Sequence, residues 1–352
     1  MSSNEPMRPR LIDVARQAEV SLATASRALG RGSELIAAKT RDHVRQVAQQ
    51  MGYQVNPIAR SLRLASTRQV GMVVPSISNP FFMELVVQVE HSLAERNRSL
   101  LLCDSRMSVA NEDNLLRGFE SGAVDGLIIA PCHETFSTPA LERAAAHVPT
   151  VQLDRAVQSD TIPMVGVDDR HGTRTILTHV KELGAQSIAI LSNTGSNLSS
   201  VTRNLQAREC AEEFGLELAD ANVIACNFSV ESAEAAVGQL IARGPLPDAI
   251  ICLNDLLAIG AITALRRHDV AIPEDILVTG FDDIQFAQLM RPSVTTLRQP
   301  LQKIAQMGVD LLLGENPLNT DDASADSLAA HATSRRYTIP GKLIIRESTV
   351  LS

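Results

Sequence analysis

Residues 11–30 read LIDVARQAEVSLATASRALG. Leu11, Val14, Ala15 and Ala18 recur at spacings of three and four, which lays one apolar stripe along a helix. Glu19-Val20 breaks the pattern. Ser21 then offers an N-cap hydroxyl for a second helix over 22–29, which Gly30 and Gly32 end. Two short helices joined by a tight turn make a helix-turn-helix. In the second helix Ala25, Ala28 and Leu29 face the first, leaving Leu22, Ala23, Ser26 and Arg27 outward. A third helix is predicted over 38–51, with Val44, Val47, Ala48 and Met51 as its buried stripe and Gly52 as its stop.

A helical hairpin of this size is common and carries no function by itself. Charge separates the readings. Arg16, Arg27, Arg31, Lys39, Arg41 and Arg45 surround the second helix, the arrangement that holding phosphates requires. The whole chain has a formal charge of −8, which as an average argues against a nucleic-acid partner. Residues 1–68, however, hold eleven Lys or Arg against five Asp or Glu, giving +6. The remaining 284 residues carry 21 basic and 35 acidic groups, giving −14. A basic binding module attached to an acidic body is the reading.

Past the third helix, Asn56-Pro57 has the cap and first-position pairing of a helix start. The segment over 58–64 is too short to be stable alone, since isolated helices below about 12 residues are marginal in water. By itself it reads as an ordinary interdomain linker. From Val70 the chain alternates short β-rich runs with helical stretches. Strands are predicted over 70–74, 100–103, 126–130, 150–153, 164–167, 188–191, 249–253, 277–280 and 295–297. Such alternation indicates βαβ units and parallel sheets, and about nine strands over 284 residues suit two doubly wound lobes better than one.

Ligands in such sheets bind beyond the carboxyl ends of the strands. Those positions are polar here: Ser76, Ser78 and Asn79 with Phe81-Phe82, then Asp154-Arg155, Asp168-Asp169, Ser192-Asn193, Asn254-Asp255 and Asp282-Asp283. Any one of them alone reads as a helix cap. Six on one rim suggest a polar cleft between lobes, with carboxylates and amides for sugar hydroxyls and a Phe face for a ring.

Composition bounds the alternatives. The chain has 352 residues, 45% hydrophobic and 20% charged, enough for two or three domains of a globular protein. No apolar run approaches the roughly 18 residues of a spanning helix, and the N-terminus shows no signal segment, so no membrane partner is expected and a cytoplasmic location fits. Five cysteines, never spaced CxxC, argue against a disulfide framework or a metal site, and no cofactor is expected. HExxH, GxSxG, P-loop and GxGxxG patterns are absent, so an enzyme is not the expectation. Without aromatic platforms in the head beyond Tyr53, stacking on single strands is disfavoured and duplex groove recognition remains.

Asp13-Val14-Ala15, the run Val20 to Leu29, Lys39-Thr40-Arg41, Gly52-Tyr53 and Asn56-Pro57-Ile58-Ala59-Arg60-Ser61-Leu62 resemble the DNA-binding head and hinge of the LacI/GalR family of bacterial transcription regulators. The resemblance continues through Val73 to Phe82, Val124-Asp125-Gly126-Leu127-Ile128, Asn254 to Ala261, Gly280 to Ile284 and Thr295 to Pro300, which are similar to the family's effector domain. It implies an all-α helix-turn-helix head followed by two doubly wound parallel-sheet lobes of periplasmic-binding-protein type. The boundaries expected are 1–55 for the head, 56–68 for the hinge and 69–352 for the body. Within the body, lobe 1 takes about 69–167 and 299–327, and lobe 2 about 168–298 and 328–352.

The resemblance places Leu22, Ala23 and Arg27 against base edges in the major groove and Ser21, Thr24 and Ser26 at phosphates. Arg27 suits bidentate bonding to guanine, while Leu22 and Ala23 supply apolar contact. Asn56, Ala59, Arg60, Leu62 and Arg63 form the implied hinge, with Leu62 wedged into the minor groove. Ser76, Phe81, Phe82, Asp154, Arg203, Asn254 and Asp282 are the implied effector contacts. Three departures stand out: Glu19 where the family's turn usually has Gly, Ala37 where the third helix usually has a Ser or Thr cap, and Gln206-Ala207 where a Gly-aromatic pair usually follows the effector arginine.

The expectation is therefore a regulator, more often a repressor, that binds double-stranded operator DNA as a homodimer. A sugar or sugar acid in the interlobe cleft would control it. A transport-type sugar-binding protein without DNA binding is the rival from another class, and a purine- or nucleoside-responsive corepressor type is the rival within the family.

Overall fold

The computed structural model describes residues 9–30, 33–54, 66–193, 198–315 and 335–350. The chain divides into two units, residues 1–67 and 68–352. In the first, α1 (Leu11–Gln17), α2 (Leu22–Ala28) and α3 (Ala38–Gln50) follow the predicted order. Val14, Ala15, Ala18, Ala25, Ala28, Val44, Val47 and Ala48 make its core, with Met51 and Tyr53 packed at the edge. Val14, Ala15 and Ala18 share this core with Ala25 and Ala28, and such short side chains let two seven-residue helices pack closely.

Unit two opens with β1 (Gln69–Val74), α4 (Pro80–Glu95), β2 (Ser99–Asp104), α5 (Val109–Phe119), β3 (Gly126–Ile129), α6 (Thr138–Ala145), β4 (Thr150–Leu153) and β5 (Met164–Val167). It continues with α7 (Asp169–Glu182), β6 (Ile188–Asn193), α8 (Leu198–Phe214), β7 (Val223–Cys226), α9 (Val230–Arg243), β8 (Ala249–Cys252), α10 (Asp255–Arg267) and β9 (Leu277–Asp282). The last elements are β10 (Thr295–Arg298), α11 (Leu301–Leu313), β11 (Arg336–Ile339) and β12 (Lys342–Ile344).

The first sheet has the order β11-β5-β4-β3-β1-β2 and is parallel throughout. The second has the order β12-β10-β9-β8-β6-β7, with only β12 antiparallel. Central strands are buried on both faces, so their sequences are continuous apolar runs. Met72, Val74 and Ile128 meet α4 through Phe82, Leu85 and Val89. Val73, Leu127 and Ile129 meet α5 and α6 through Leu116, Phe119 and Leu141. This is the doubly wound, two-lobed architecture expected from the sequence.

All nine predicted strands form, and three more join them: β11 and β12 near the C-terminus, and β7 over Val223–Cys226. Strand β7 lies at the edge of its sheet and is only partly buried, so its sequence needs no long apolar run and gives little signal. The expected lobe division needs a correction at the C-terminus. Arg336–Ile339 pairs in parallel with β5 in the first sheet, so this stretch belongs to lobe 1, while β12 belongs to lobe 2. Edge strand β5 offers an open ladder, and β11 fills it before the chain crosses back at Pro340-Gly341. Gly341 permits the crossing: a Cβ there would stand 2.7 Å from Leu297 Cδ2 and 2.9 Å from the Arg298 carbonyl oxygen. Arg31, the hinge residues Asn56, Ala59, Arg60, Leu62 and Arg63, and the segment over 316–334 lie outside the described residues.

Candidate DNA-reading helix and interlobe site

Helix α2 starts where the sequence places its cap. Ser21 Oγ accepts the Thr24 amide at 3.1 Å and lies 2.8 Å from Thr24 Oγ1. With Ala25 and Ala28 fully buried, the helical period turns Leu22, Ala23 and Arg27 to solvent, and Leu22 is 49% exposed. Ser26 and Thr24 are half-buried at the flanks. An exposed leucine, alanine and arginine on one short helix within a basic unit is a surface suited to a groove edge rather than to a protein core.

The turn before α2 holds Glu19 at φ 53°, in the left-handed region. Val20 N donates to Ala15 O at 3.0 Å and Glu19 N to Arg16 O at 3.2 Å, which is a Schellman end with glutamate at its glycine position. Helix α3 closes the same way on Gly52, at φ 65°, with Tyr53 N bonded to Ala48 O at 2.8 Å. Ala37 caps α3 with no side-chain hydrogen bond, as its methyl dictates.

In unit two, a buried charged cluster forms at the carboxyl ends of both sheets. Arg203 comes from α8, is 5% exposed, and donates from Nε to Asp169 Oδ1 at 2.6 Å and from Nη1 to Leu253 O at 2.8 Å. Its Nη1 lies 3.6 Å from Asp282 Oδ1, and its guanidinium sits 3.5 Å from the centre of the Phe281 ring. Asp154, from the loop after β4, is 7% exposed and pairs with the neighbouring Arg155 at 3.5 Å. Ser199 Oγ of α8 donates to Asp154 O at 3.0 Å, tying the second lobe to the first. On the other side Glu84 of α4 accepts the Gln285 amide at 2.9 Å.

Burial pushes the Asp154 carboxyl up to about 6, with the charges of Arg155 and Arg203 opposing the rise. Burial likewise pushes Asp282 up to about 7, Arg203 opposing and Asp154 adding to it. Both residues also hold positive φ, 65° for Asp154 and 113° for Asp282. Such backbone costs of order 1–3 kcal/mol per residue persist where the surroundings over-determine them, and they concentrate at functional sites.

Asp154, Arg203 and Asp282 are thus brought together, but the other expected contacts take mixed places. Phe82 is 1% exposed in the lobe 1 core, with Phe81 edge-on at 5.1 Å and the Arg155 guanidinium 5.1 Å above its ring. Ser76 Oγ accepts the Ser78 amide within the turn after β1. Asn254 Oδ1 caps α10 by accepting the Leu257 amide at 3.0 Å. The neighbouring Asp255 is fully buried and structural: it accepts the Ile284 amide at 2.8 Å and the Thr296 hydroxyl at 2.6 Å. Gly280 leaves room for it, since a Cβ there would lie 2.1 Å from Asp255 Oδ1.

Three members of the cluster are absent from the contacts implied by sequence: Arg155, Asp169 and Gln299. Arg155 and Asp169 sit at rim positions after strands, a signal present in the sequence. Gln299 donates to Asp282 Oδ1 at 2.7 Å and follows β10, inside the Thr295 to Pro300 motif. The Gln206-Ala207 departure leaves α8 intact, with both residues buried and Gln206 accepting from Arg170 at 3.0 Å. Among the described residues no helix is long and apolar enough to cross a membrane.

Comparison with known proteins bears on both units. Residues 10–56 match the family described as "Bacterial regulatory proteins, lacI family", and residues 67–319 match "Periplasmic binding proteins and sugar binding domain of LacI family". The ribose operon repressor of Halalkalibacterium halodurans is 31% identical over 340 residues, covering 96% of each chain. The structure of the lac repressor dimer bound to operator and the anti-inducer ONPF aligns with a TM-score of 0.82 at 25% identity, covering 98% of this chain and all of that one. The complex of the transcriptional regulator CelR with cellobiose aligns with a TM-score of 0.69 at 26% identity, covering 97% of this chain and all of that one. With both units matched and nearly the full length aligned, the chain belongs to the LacI family of bacterial transcription regulators.

Proposed function

We propose that the chain is a repressor that acts in the cytoplasm as a homodimer on a pseudo-palindromic operator and is switched by a sugar or sugar acid held between its lobes. Residues 1–55 would read the DNA, 56–68 would form the hinge, and the body from 69 would bind the effector and dimerise. Ser21, Leu22, Ala23, Thr24, Ser26 and Arg27 are the proposed groove and phosphate contacts. Asn56, Ala59, Arg60, Leu62 and Arg63 are the proposed hinge contacts, and Asp154, Arg203 and Asp282 the proposed centre of the effector site, with Ser76, Phe81, Phe82 and Asn254 around it.

The observation that carries this reading is the meeting of Asp154 from one lobe with Arg203 and Asp282 from the other in one buried polar cluster. An effector that bonds both lobes at this point changes their relative stability, and a coupling of about 1–3 kcal/mol makes a 5- to 150-fold switch in DNA affinity. That relatives include a ribose operon repressor and a cellobiose complex supports the sugar class. The test is a thermal-shift screen of sugars and sugar acids, followed by titration of a selected duplex with and without each hit. A hit that changes duplex affinity at least about fivefold supports the reading, and hits that leave it unchanged refute the allosteric part.

A further inference from the structure

Two buried polar atoms in the cluster, Arg155 Nη1 and Gln299 Oε1, find no partner among the described residues. Arg155 is 5% exposed and comes from the lobe 1 rim, its Nε beside Asp154 and its guanidinium over Phe82. It also feels the charges of Arg203 and Asp282 across the cleft. Gln299 is 3% exposed and comes from the lobe 2 rim, its amide nitrogen given to Asp282 and its oxygen left over. A free donor from the lobe 1 rim therefore lies beside Asp154, and a free acceptor from the lobe 2 rim beside Asp282.

Arg203, in contrast, is already engaged at two of its nitrogens: Asp169 accepts from Nε and Leu253 O from Nη1, with Asp282 3.6 Å from Nη1, so its charge is matched by protein carboxylates. Counted together, three carboxylates, Asp154, Asp169 and Asp282, stand against two guanidiniums, Arg155 and Arg203. Above about pH 7, where Asp282 also ionises, an anion entering this buried site would meet a carboxylate excess. Hydroxyl groups fit instead, because each both donates and accepts.

Resting on the reading of this cleft as the effector site, we propose that Arg155 is a specificity-determining effector contact and that, with Gln299, it selects a neutral polyhydroxylated ligand over its acid. One hydroxyl accepts from Arg155 Nη1, and another donates to Gln299 Oε1.

The experiment is isothermal titration of the full chain with D-ribose, D-glucose and cellobiose, and with ribonate and gluconate. It is run on the unaltered protein and on Arg155→Met, Arg155→Lys and Gln299→Leu, with melting curves of each unliganded protein. A neutral sugar should bind the unaltered protein, its acid should bind at least about tenfold more weakly, and Arg155→Met should raise the Kd for the sugar at least about tenfold. Arg155→Lys should restore part of the loss. Monodeoxy analogues of the bound sugar give the readout a structural role would not move: one of them should lose affinity for the unaltered protein and lose little more on Arg155→Met. If Arg155→Met does not fold, Arg155→Lys and Gln299→Leu carry the same comparison. Equal sugar affinity in variant and unaltered protein overturns the assignment of Arg155 while leaving a sugar effector standing. Tighter binding of the acids overturns the neutral-ligand selection. If nothing binds the unaltered protein, the effector reading falls and this inference with it.

Discussion

Glu19 and Gly52 end two helices of the same head with the same hydrogen bonds, yet only one of them is a glycine. A side chain at positive φ costs about 1–2 kcal/mol relative to the right-handed region, a penalty glycine escapes. Glu19→Gly is therefore expected to raise the stability of the head by up to about 1 kcal/mol, part of the gain being lost to the freer unfolded chain. Chemical denaturation of the full chain, followed by a probe in residues 1–67, measures it. A loss of stability would show that the glutamate makes contacts that outweigh its backbone. Arg27 is the residue on which sequence preference should hinge. Its replacement by Ala is expected to weaken binding to the selected duplex by about 1–3 kcal/mol and to relax preference at one base pair. Competition binding against single-base variants reads both effects.

At the scale of elements, α3 enters from Ala37 without a side-chain cap. Ala37→Ser is expected to add about 1 kcal/mol, since a hydroxyl there can accept from the first turn's amides. Thermal melting of the full chain would show it as a rise in the head's transition, and no change would mean that water already serves those amides as well. Legibility varies from element to element for physical reasons. The central strands announce themselves because both of their faces are buried. Helix α8 does not: Ser199, Ser200, Arg203 and Gln206 turn inward, while Val201 and Leu205 are nearly half exposed. Its inner face lines a polar cluster, so the usual apolar stripe is missing where function needs polarity. Strand β7, on an edge, is quiet for the opposite reason, having little to bury.

At the scale of the molecule, the charge split and the buried cluster both make solution behaviour predictable. With +6 over residues 1–68 and −14 over the rest, phosphate contact is expected to fall on the N-terminal residues, and duplex affinity should fall steeply with added salt. Asp154 and Asp282 titrate near 6 and 7 when folded but near 3.9 when unfolded. The folded state then holds protons that the unfolded chain has released, so their contribution to stability is full below about pH 4 and is lost as pH rises through about 6 to 7. Asp282→Asn keeps the neutral form at every pH. The melting temperature of the unaltered protein relative to Asp282→Asn is expected to fall between pH 5 and pH 8, and a constant difference would show that Asp282 is ionised throughout.

The helix-turn-helix, the two parallel-sheet lobes and the polar strand ends were determined by sequence alone, because periodicity and strand-helix alternation are local and repeat over many residues. What only the tertiary structure decided is which rim residues meet. Asn254 and Asp255 look alike beside Asp282 in the chain, yet one caps a helix, one braces a loop, and Asp282 faces Arg203. The placement of Arg336–Ile339 in the first sheet, and the unmet atoms of Arg155 and Gln299, likewise depend on neighbours more than a hundred residues away. Pairing across such distances is set by packing and by the cost of burying an unpaired polar group, and no stretch of the chain records it by itself.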